Sequence, residues 1–439
     1  MANTLELVLV LLAAAVIVVV LFRSLNLPPI LGYLIVGTAI GPHALNWLPD
    51  STDTRHLAEF GVVFLMFSIG LEFSLPKLFS MKRIVFGLGL AQVVLTSAAV
   101  MIAALTLGIA WQGALALGGV LAMSSTAVLS KVLVERMELD SAHGREIMGV
   151  LLFQDLAVVP FLVLIPAFSV VTVCLNKVLA LAALKAAVAL ALILYFGPRL
   201  MRAWFFVVAR RRSAELFMLN VLLITLGLAF LTQLAGLSLA LGAFLAEYRY
   251  QVEEDIKPFR DVLLGLFFIT VGMLLDPRLV LHELLWVLLT LVLLLLGKFA
   301  LIAALSRRFG TMPGTALRVG LWLCAGGEFG FVMLSQVDRA ELLPPTTVQI
   351  VLAALVLSLL LAPLLAQYAD RIVLRLVPSE WLLRSMQLTS IAAQSMFIDR
   401  HAILCGYGRN GQYMGRFLDQ EGIPYIALDL DPERVREAA

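Results

Sequence analysis

The sequence predicts an all-α polytopic membrane protein with thirteen transmembrane helices and a short α/β segment at its C-terminal end. Hydrophobic residues make up 61% of the 439 residues, charged residues make up 14%, and the mean hydropathy is +0.99. Ordinary soluble domains contain about 25% charged residues. The composition therefore excludes a typical soluble enzyme, and the net charge of +2 gives no indication of a nucleic-acid partner.

Apolar runs of spanning length are separated by turn residues and charges along the chain. The first run has no basic region before it and no small-residue cleavage site ahead of Arg23, so we interpret it as a retained helix. The predicted spans cover residues 5–22, 28–42, 57–75, 84–107, 112–133, 146–170, 178–197, 215–234, 237–248, 259–275, 282–304, 316–336 and 347–368.

Basic residues are distributed unevenly between alternate loops. With the N-terminus outside, the cytoplasmic loops hold eighteen Lys and Arg residues, whereas the opposite loops hold only Arg55, Lys177, Arg278 and Arg339. Positive charge accumulates on the cytoplasmic side of membrane proteins. The sequence therefore predicts an N-terminus outside and a cytoplasmic C-terminus.

An internal repeat with an offset of 202 residues organises the membrane part. The segment around Gly70 resembles the segment around Gly272, and the same offset carries residues 124–126 (SST) onto residues 326–328 (GGE). Six helices, one extra helix and six more would place the second copy upside down in the membrane, which is the inverted-repeat plan of secondary transporters. Chance similarity between apolar segments is the alternative, and the shared offset argues against it.

Asp155 is a carboxylate near the middle of the apolar stretch at residues 151–160 (LLFQDLAVVP). An Asp at the centre of a membrane helix costs about 3 kcal/mol, so such residues usually face a watery cavity or a partner and mark an ion path. We therefore interpret Asp155 as the ion-binding and proton-binding residue. The alternative is a structural Asp that a Lys on a neighbouring helix neutralises.

Two polar interruptions divide otherwise apolar helices, at residues 122–127 (AMSSTA) and 324–330 (CAGGEFG). Small and hydroxyl residues allow a helix to unwind at mid-depth, which frees carbonyl oxygens and directs half-helix dipoles at the centre. We expect these two broken helices to cross beside Asp155. Ordinary close packing through small residues is the alternative interpretation.

The predicted site consists of hard oxygen ligands, which suit an alkali cation, K⁺ or Na⁺. They are the carboxylate of Asp155, the amide oxygen of Gln154, the hydroxyl of Thr126 or Ser125, and free carbonyls of the breaks. No tightly bound metal is expected, and the three cysteines, which are far apart, are interpreted as free thiols.

Two further intramembrane charges, Lys298 and Glu328, need a role. Lys298 is expected either to pair with Asp155 when no cation is bound or to have a separate structural role. Glu328 is expected to neutralise the opposing half-helix N-termini at the crossing.

Four stretches together carry a family resemblance: residues 28–37 (PPILGYLIVG), 153–156 (FQDL), 258–268 (PFRDVLLGLFF) and 327–331 (GEFGF). Over essentially its whole length the chain resembles the monovalent cation:proton antiporter-2 family, and within it the Kef-type glutathione-regulated potassium-efflux branch. The resemblance implies K⁺/H⁺ antiport by a homodimer in the cell inner (plasma) membrane. It also implies a mobile core domain in each protomer, in which Asp155 is alternately protonated and loaded with the cation.

The loop at residues 250–258 (YQVEEDIKP) departs from the Kef pattern. Kef proteins resemble one another in a His-Ala-Leu-Glu-Ser-Asp type of loop, and here the acids remain while the His is missing. Regulation by glutathione or by an ancillary subunit, which the resemblance implies, is weakened by this departure more than transport is. A solvated connector is the alternative role for the loop.

The composition changes after residue 400. A short apolar strand is followed by GxGxxG, a helix and a second strand that ends in an acid, which together form the dinucleotide fingerprint of a Rossmann-like domain. The glycines allow close approach to phosphate, and the acid reaches a ribose hydroxyl. The resemblance implies AMP or NAD(H) as the nucleotide. The candidate residues are Gly406, Gly408, Arg409, Asn410, Gly411 and Asp429.

Three regions follow from these patterns. Residues 1–370 are predicted to form a transmembrane exchanger domain, residues 371–400 a cytoplasmic linker helix, and residues 401–439 the first part of the nucleotide-binding regulatory domain. Because only one βαβ piece is present, we expect this fragment not to bind a nucleotide by itself.

Alternative functions remain open at this point. A Na⁺/H⁺ antiporter of the same fold would use the same ligands. A nucleotide-gated potassium channel would need a filter of the TVGYG type, which the sequence lacks. A membrane-anchored oxidoreductase would leave Asp155 and the repeat without a role.

Overall fold

The computed structural model describes residues 29–45, 80–169, 267–377 and 401–428, together with scattered positions at 13–24, 47, 78, 216–230 and 265. Five of the described helices are long and apolar enough to cross a membrane, and a pair of shorter helices bent by 45° adds a sixth span. The chain is therefore a multi-pass membrane protein. The total of thirteen spans stays a prediction, because those at 5–22, 57–75, 178–197, 215–234, 237–248 and 259–275 lie wholly or partly outside the described residues.

The described helices follow one another in this order. The first is α1 (Pro29–Ile40). A π-helical turn (Ile84–Gly89) then continues into α2 (Leu90–Thr106). The rest of the membrane part is α3 (Trp111–Ala122), α4 (Thr126–Glu135), α5 (Ala142–Ser169), α6 (Pro277–His282), α7 (Leu284–Arg308), α8 (Pro313–Leu323), α9 (Glu328–Arg339) and α10 (Pro345–Leu376). Residues 267–273 are also helical.

Local sequence signals mark several helix starts. Ser125 caps α4, because its hydroxyl accepts a hydrogen bond from the N–H of Val128 at 3.3 Å. Asp276 caps α6 in the same way, accepting from the N–H of Arg278 at 2.9 Å. Prolines, whose fixed φ suits the first turn, begin α6, α8 and α10.

The repeat expected from the sequence is visible in the positions of the helices. Trp111 and Pro313, which begin α3 and α8, are 202 residues apart, and so are Thr126 and Glu328, which begin α4 and α9. In both copies a long helix precedes the broken pair and another follows it. The predicted spans at 112–133 and 316–336 are thus each two half-helices separated by a short extended segment.

The two breaks cross at a contact between backbones. A Cβ atom placed on Gly327 would lie 2.3 Å from both C and O of Ser124, so only glycine fits there. Gly326 donates its N–H to the Ser358 hydroxyl of α10 at 3.0 Å, which fixes the second break against that helix. Trp322 and Phe329, on either side of the second break, are almost completely buried. The crossing therefore lies inside the packed core.

The hydropathy pattern predicted the positions of the described membrane helices but not the residues at which they begin and end. Helix α5 begins at Ala142 instead of residue 146, because the Ser141 hydroxyl accepts from the N–H of Gly144 at 3.0 Å and starts the helix earlier. Helix α10 continues to Leu376, past the predicted domain boundary at residue 370. Both helices continue beyond their apolar runs into polar residues, because polar side chains do not interrupt the backbone hydrogen bonds of a helix.

The C-terminal segment forms one parallel βαβ unit. Strand β1 (Ala402–Cys405) pairs in parallel with β2 (Tyr425–Leu428), and α11 (Arg409–Gln420) connects them. Gly406 has φ of +96°, a conformation that favours glycine, at the turn between β1 and α11. The fingerprint glycines thus occupy the strand-to-helix turn that their spacing predicted.

We expect Gly327→Ala to destabilise the purified protein, because the added methyl group has to displace the Ser124 backbone. Overpacking of this kind costs about 1–3 kcal/mol. Gly297→Ala is the matched control, since a Cβ atom at Gly297 meets no heavy atom within 4 Å. The measurement is thermal unfolding in detergent. A transition temperature for Gly327→Ala equal to that of the control would contradict the close crossing.

Candidate cation site at the crossing of two broken helices

Asp155 lies on α5 where this helix passes the start of α4. Its side chain is only 4% exposed. The Thr126 hydroxyl donates a hydrogen bond to Oδ1 of Asp155 at 2.9 Å. Two of the residues predicted for the site are therefore in direct contact, and they present a carboxylate and a hydroxyl together at mid-span.

Ser125 and Thr126 have different roles, although the sequence left open which hydroxyl would bind the cation. Ser125 Oγ caps α4 through the N–H of Val128. Thr126 Oγ1 donates to Asp155. A hydroxyl oxygen that donates its proton to a carboxylate keeps its lone pairs, so the Thr126 oxygen can still act as a ligand beside Asp155. Which of the two hydroxyls binds a cation stays a prediction.

Gln154 contacts the first break instead of pointing freely into a cavity. Its Oε1 accepts a hydrogen bond from the backbone N–H of Ser124 at 2.7 Å. Its Nε2 donates to Oε1 of Gln92 at 2.8 Å and lies 3.4 Å from the Ser124 hydroxyl. The amide oxygen has a second lone pair, so coordination of a cation by Gln154 stays a prediction.

Gln92 is a polar residue of this region that the sequence analysis missed. It is on α2, directly after the π-helical turn, and its side chain is completely buried. Its Nε2 donates to the carbonyl of Ala122 at 3.1 Å and to the Thr96 hydroxyl at 3.2 Å. The available signal in the sequence was an amide within an otherwise apolar span.

Lys298 lies between the two breaks and is 3% exposed. Its ammonium group donates to the carbonyl of Met123 at 2.6 Å and to the carbonyl of Ala325 at 3.1 Å. These carbonyls follow the C-terminal ends of α3 and α8, where helix dipoles favour a positive charge. The Lys298 ammonium therefore makes hydrogen bonds to both repeats. Its direct pairing with Asp155 stays a prediction.

Glu328 lies at the N-terminal ends of the other two half-helices, α4 and α9. It is the first residue of α9 and is 1% exposed. Its Oε1 accepts a hydrogen bond from the N–H of Ala127, in the first turn of α4, at 3.0 Å. One carboxylate thus contacts the N-terminal ends of both downstream half-helices, where negative charge is favoured.

The three buried charged residues of the site therefore have different kinds of hydrogen-bond partner. Lys298 and Glu328 make hydrogen bonds to the backbone of the breaks. Asp155 makes its hydrogen bond to the Thr126 side chain. Asp155 is the third buried charged residue of the site, and a change in its charge would leave the backbone hydrogen bonds of Lys298 and Glu328 in place.

Five of the six predicted nucleotide-binding residues lie at the turn between β1 and α11 or in the first turn of α11. The N–H of Gly406 donates to the carbonyl of Leu428 at 2.7 Å, which closes the turn against the end of β2. A Cβ atom on Gly411 would lie 2.1 Å from the Gly406 carbonyl, so this turn and helix approach closely. Asp429 lies outside the described residues.

The fold and the site define the class of protein. The sodium proton antiporter MjNhaP1 from Methanocaldococcus jannaschii has a similar solved structure, with a TM-score of 0.61 and 15% sequence identity over 84% of this chain and 97% of that chain. At this identity the similarity concerns the fold alone. The described chain has the helical membrane antiporter fold.

The family follows from the sequence matches. The model described as sodium/hydrogen exchanger, transmembrane, matches residues 9–367, and the chain belongs to this family. It is similar to K(+) efflux antiporter 2, chloroplastic, of Arabidopsis thaliana (43% identical), to putative K(+) efflux antiporter KefB of Alkalimonas amylolytica (40%), and to glutathione-regulated potassium-efflux system protein KefC of Escherichia coli (34%). These matches confirm the resemblance to Kef-type proteins.

The matches cover nearly all of this chain but unequal parts of the relatives. They include 98%, 99% and 99% of this chain, respectively. They include 38% of the Arabidopsis protein, 67% of KefB and 70% of KefC. The chain thus spans little more than a third of the length of the Arabidopsis relative.

We expect Asp155→Asn to abolish cation-dependent proton flux while the protein stays folded. The amide keeps the shape of the side chain and can still accept from Thr126, but it cannot alternate between a proton and a cation. The measurement is flux into proteoliposomes that contain a pH dye, combined with thermal unfolding of the same preparation.

Asp140→Asn is the matched control, because Asp140 is exposed in the turn before α5. It removes an equal charge and should retain wild-type flux. Retained flux in well-folded Asp155→Asn would show that the exchanged ion binds elsewhere.

Proposed function

We propose that this chain is the membrane part of a secondary active K⁺/H⁺ antiporter that works by alternating access. The observation that carries the proposal is the buried Asp155 carboxylate, hydrogen-bonded to Thr126, beside two crossed helix breaks whose peptide groups have other partners. The family and the names of the potassium-efflux relatives support the same activity.

Exchange follows from competition at one carboxylate. A proton and a dehydrated monovalent cation cannot occupy Asp155 together, so binding of one releases the other. Lys298 and Glu328 hold the crossing in both states, because their hydrogen-bond partners are backbone groups of the breaks. The core carrying this crossing would then move relative to the remaining helices and present Asp155 to each side in turn.

K⁺ is the proposed substrate because the relatives are named for potassium efflux. Na⁺/H⁺ exchange by the same fold is the second candidate, and the similar fold of a sodium proton antiporter is what favours it. Both are hard cations that accept carboxylate and hydroxyl oxygens as ligands.

The proposal includes a full architecture of thirteen spans with the N-terminus outside and the C-terminus in the cytoplasm. The excess of basic residues in alternate loops supports this orientation in the inner (plasma) membrane. We also propose a homodimer, which rests on the family resemblance.

A cytoplasmic regulatory domain completes the proposed function. The βαβ unit at residues 401–428 has its glycine turn at the start of α11, an arrangement that suits a nucleotide phosphate. AMP or NAD(H) is the proposed ligand of the complete domain, of which residues 401–439 are the beginning. Glutathione or an ancillary subunit is a further proposed regulator, supported by the printed name of KefC.

The test of the proposed exchange uses proteoliposomes with an internal pH dye. K⁺ and Na⁺ are added separately to the outside, and the proton flux is recorded over a range of cation concentrations. Proton flux that depends on K⁺ more strongly than on Na⁺ supports the proposal. Flux that neither cation stimulates would contradict it, and a preference for Na⁺ would favour the second candidate.

We expect the exchange to be electroneutral, with one cation for one proton. The residue before Asp155 is Gln154, which cannot take a proton, so Asp155 is the carboxylate that titrates in the proposed cycle. A second acid that titrated in step, such as Glu328, would change this count. A net charge moved per cycle would make the rate sensitive to voltage, by about 2.3 kcal/mol per charge per 100 mV.

The measurement is the transient current on a solid-supported membrane, recorded beside the dye flux of the same liposomes. Asp155→Asn liposomes give the background current. A wild-type current above this background that follows the cation gradient would show that the exchange is not one for one and that the one-carboxylate argument is wrong.

A further inference from the structure

Gln92 is connected to the candidate cation site by a continuous chain of hydrogen bonds. The chain runs from the carbonyl of Ala122 to Gln92 Nε2 (3.1 Å), from Gln92 Oε1 to Gln154 Nε2 (2.8 Å), and from Gln154 Oε1 to the N–H of Ser124 (2.7 Å). Both glutamine side chains are completely buried. This series of hydrogen bonds starts at Ala122 and ends at Ser124, which are two residues apart at the same helix break.

The two ends of this chain fix the orientation of both amides. The Ser124 N–H is only a donor, so it requires the oxygen of Gln154 to face it, and the Gln154 nitrogen then faces Gln92. The Ala122 carbonyl is only an acceptor, so it requires the nitrogen of Gln92. If either amide were turned over, it would oppose like groups at both of its ends, each at a cost of a buried unsatisfied polar atom.

The position of Gln92 on α2 also follows from the backbone. A π-helical turn at Ile84–Gly89 precedes it, and such turns shift the register of the residues that follow. The side chain of Gln92 consequently reaches the end of α3, where the break begins. It also contacts Thr96 one turn further along α2, at 3.2 Å, as a side branch of the chain.

We propose that Gln92 is a positioning residue that sets the cation preference of Asp155. It acts by holding the Gln154 amide and the first break in one geometry. A fixed separation of the ligand oxygens favours the cation of matching size, whereas a flexible cavity can shrink around the smaller ion. This inference rests on the proposed cation exchange and adds a specific residue that determines its selectivity.

The test compares the apparent KM for K⁺ with that for Na⁺ in wild type and in Gln92→Met. Methionine keeps the length and most of the volume of glutamine but makes neither hydrogen bond. We expect the KM of the preferred cation to rise about fivefold, the factor that corresponds to one lost hydrogen bond. The KM of the other cation should change less, so that the ratio of the two constants approaches one.

Gln92→Glu is the rescue variant. In its protonated form it accepts from Gln154 and donates to the Ala122 carbonyl, so it restores the chain. On the acidic side of the activity profile it should therefore keep the wild-type KM ratio, which a role in packing alone does not predict. If Gln92→Glu and Gln92→Met both lose the wild-type ratio of the two KM values, that result would contradict the role of the hydrogen bonds of Gln92.

Ser97→Ala is the matched control. Ser97 is buried on the same helix, and its hydroxyl has no hydrogen-bond partner among the described residues. We expect its KM ratio to equal that of wild type. If Gln92→Met does not fold, Gln92→Asn replaces it, because its amide is one methylene too short to reach both Gln154 and Ala122.

The outcomes separate this inference from the proposed function. Thermal stabilisation of the purified protein by K⁺ or Na⁺ reports binding without transport. A wild-type protein with neither flux nor stabilisation would overturn the proposed exchange, and the role of Gln92 with it. An active wild type whose KM ratio is unchanged in Gln92→Met, or in Gln92→Asn where that variant is used, would overturn the role of Gln92 alone.

Discussion

Unpaired peptide groups of the two helix breaks are the constraint on which the rest of the site depends. In a hydrocarbon environment an N–H or C=O without a partner costs several kcal/mol, and no bulk water is present to satisfy it. The breaks are therefore surrounded by side chains that act as partners. Lys298 donates to a carbonyl in each break, Gln92 donates to the end of α3, and Glu328 accepts from the start of α4.

This arrangement matches the polarity of the half-helices. The ammonium lies at two C-terminal ends and the carboxylate at an N-terminal end beside the start of its own helix, so each charge opposes a dipole of the opposite sign. The backbone of the crossing is thereby stabilised by hydrogen bonds of Lys298 and Glu328. In the proposed cycle, these hydrogen bonds keep the shape of the crossing while Asp155 changes its charge.

Gln154, the neighbour of Asp155 in the sequence, makes a hydrogen bond to the backbone of the first break. Its oxygen accepts from the N–H of Ser124, and its nitrogen is engaged with Gln92. An amide suits this position because it donates and accepts at once, whereas a carboxylate only accepts when ionised. The choice of Gln at this position therefore concerns the geometry of the first break as well as the number of titrating groups beside Asp155.

The sequence by itself determined the class of fold, the offset of the repeat and the two breaks, and it singled out Asp155 as the predicted ion-binding residue. These features follow from local physical chemistry, because a charge or an unwound segment within an apolar span is costly wherever the rest of the chain lies. The tertiary structure decided the partners. Gln92 lies 62 residues from Gln154, and Lys298 lies 175 residues from Met123, so no local pattern could join them. The helix ends at Ala142 and Leu376 were also set by hydrogen bonds that hydropathy does not register.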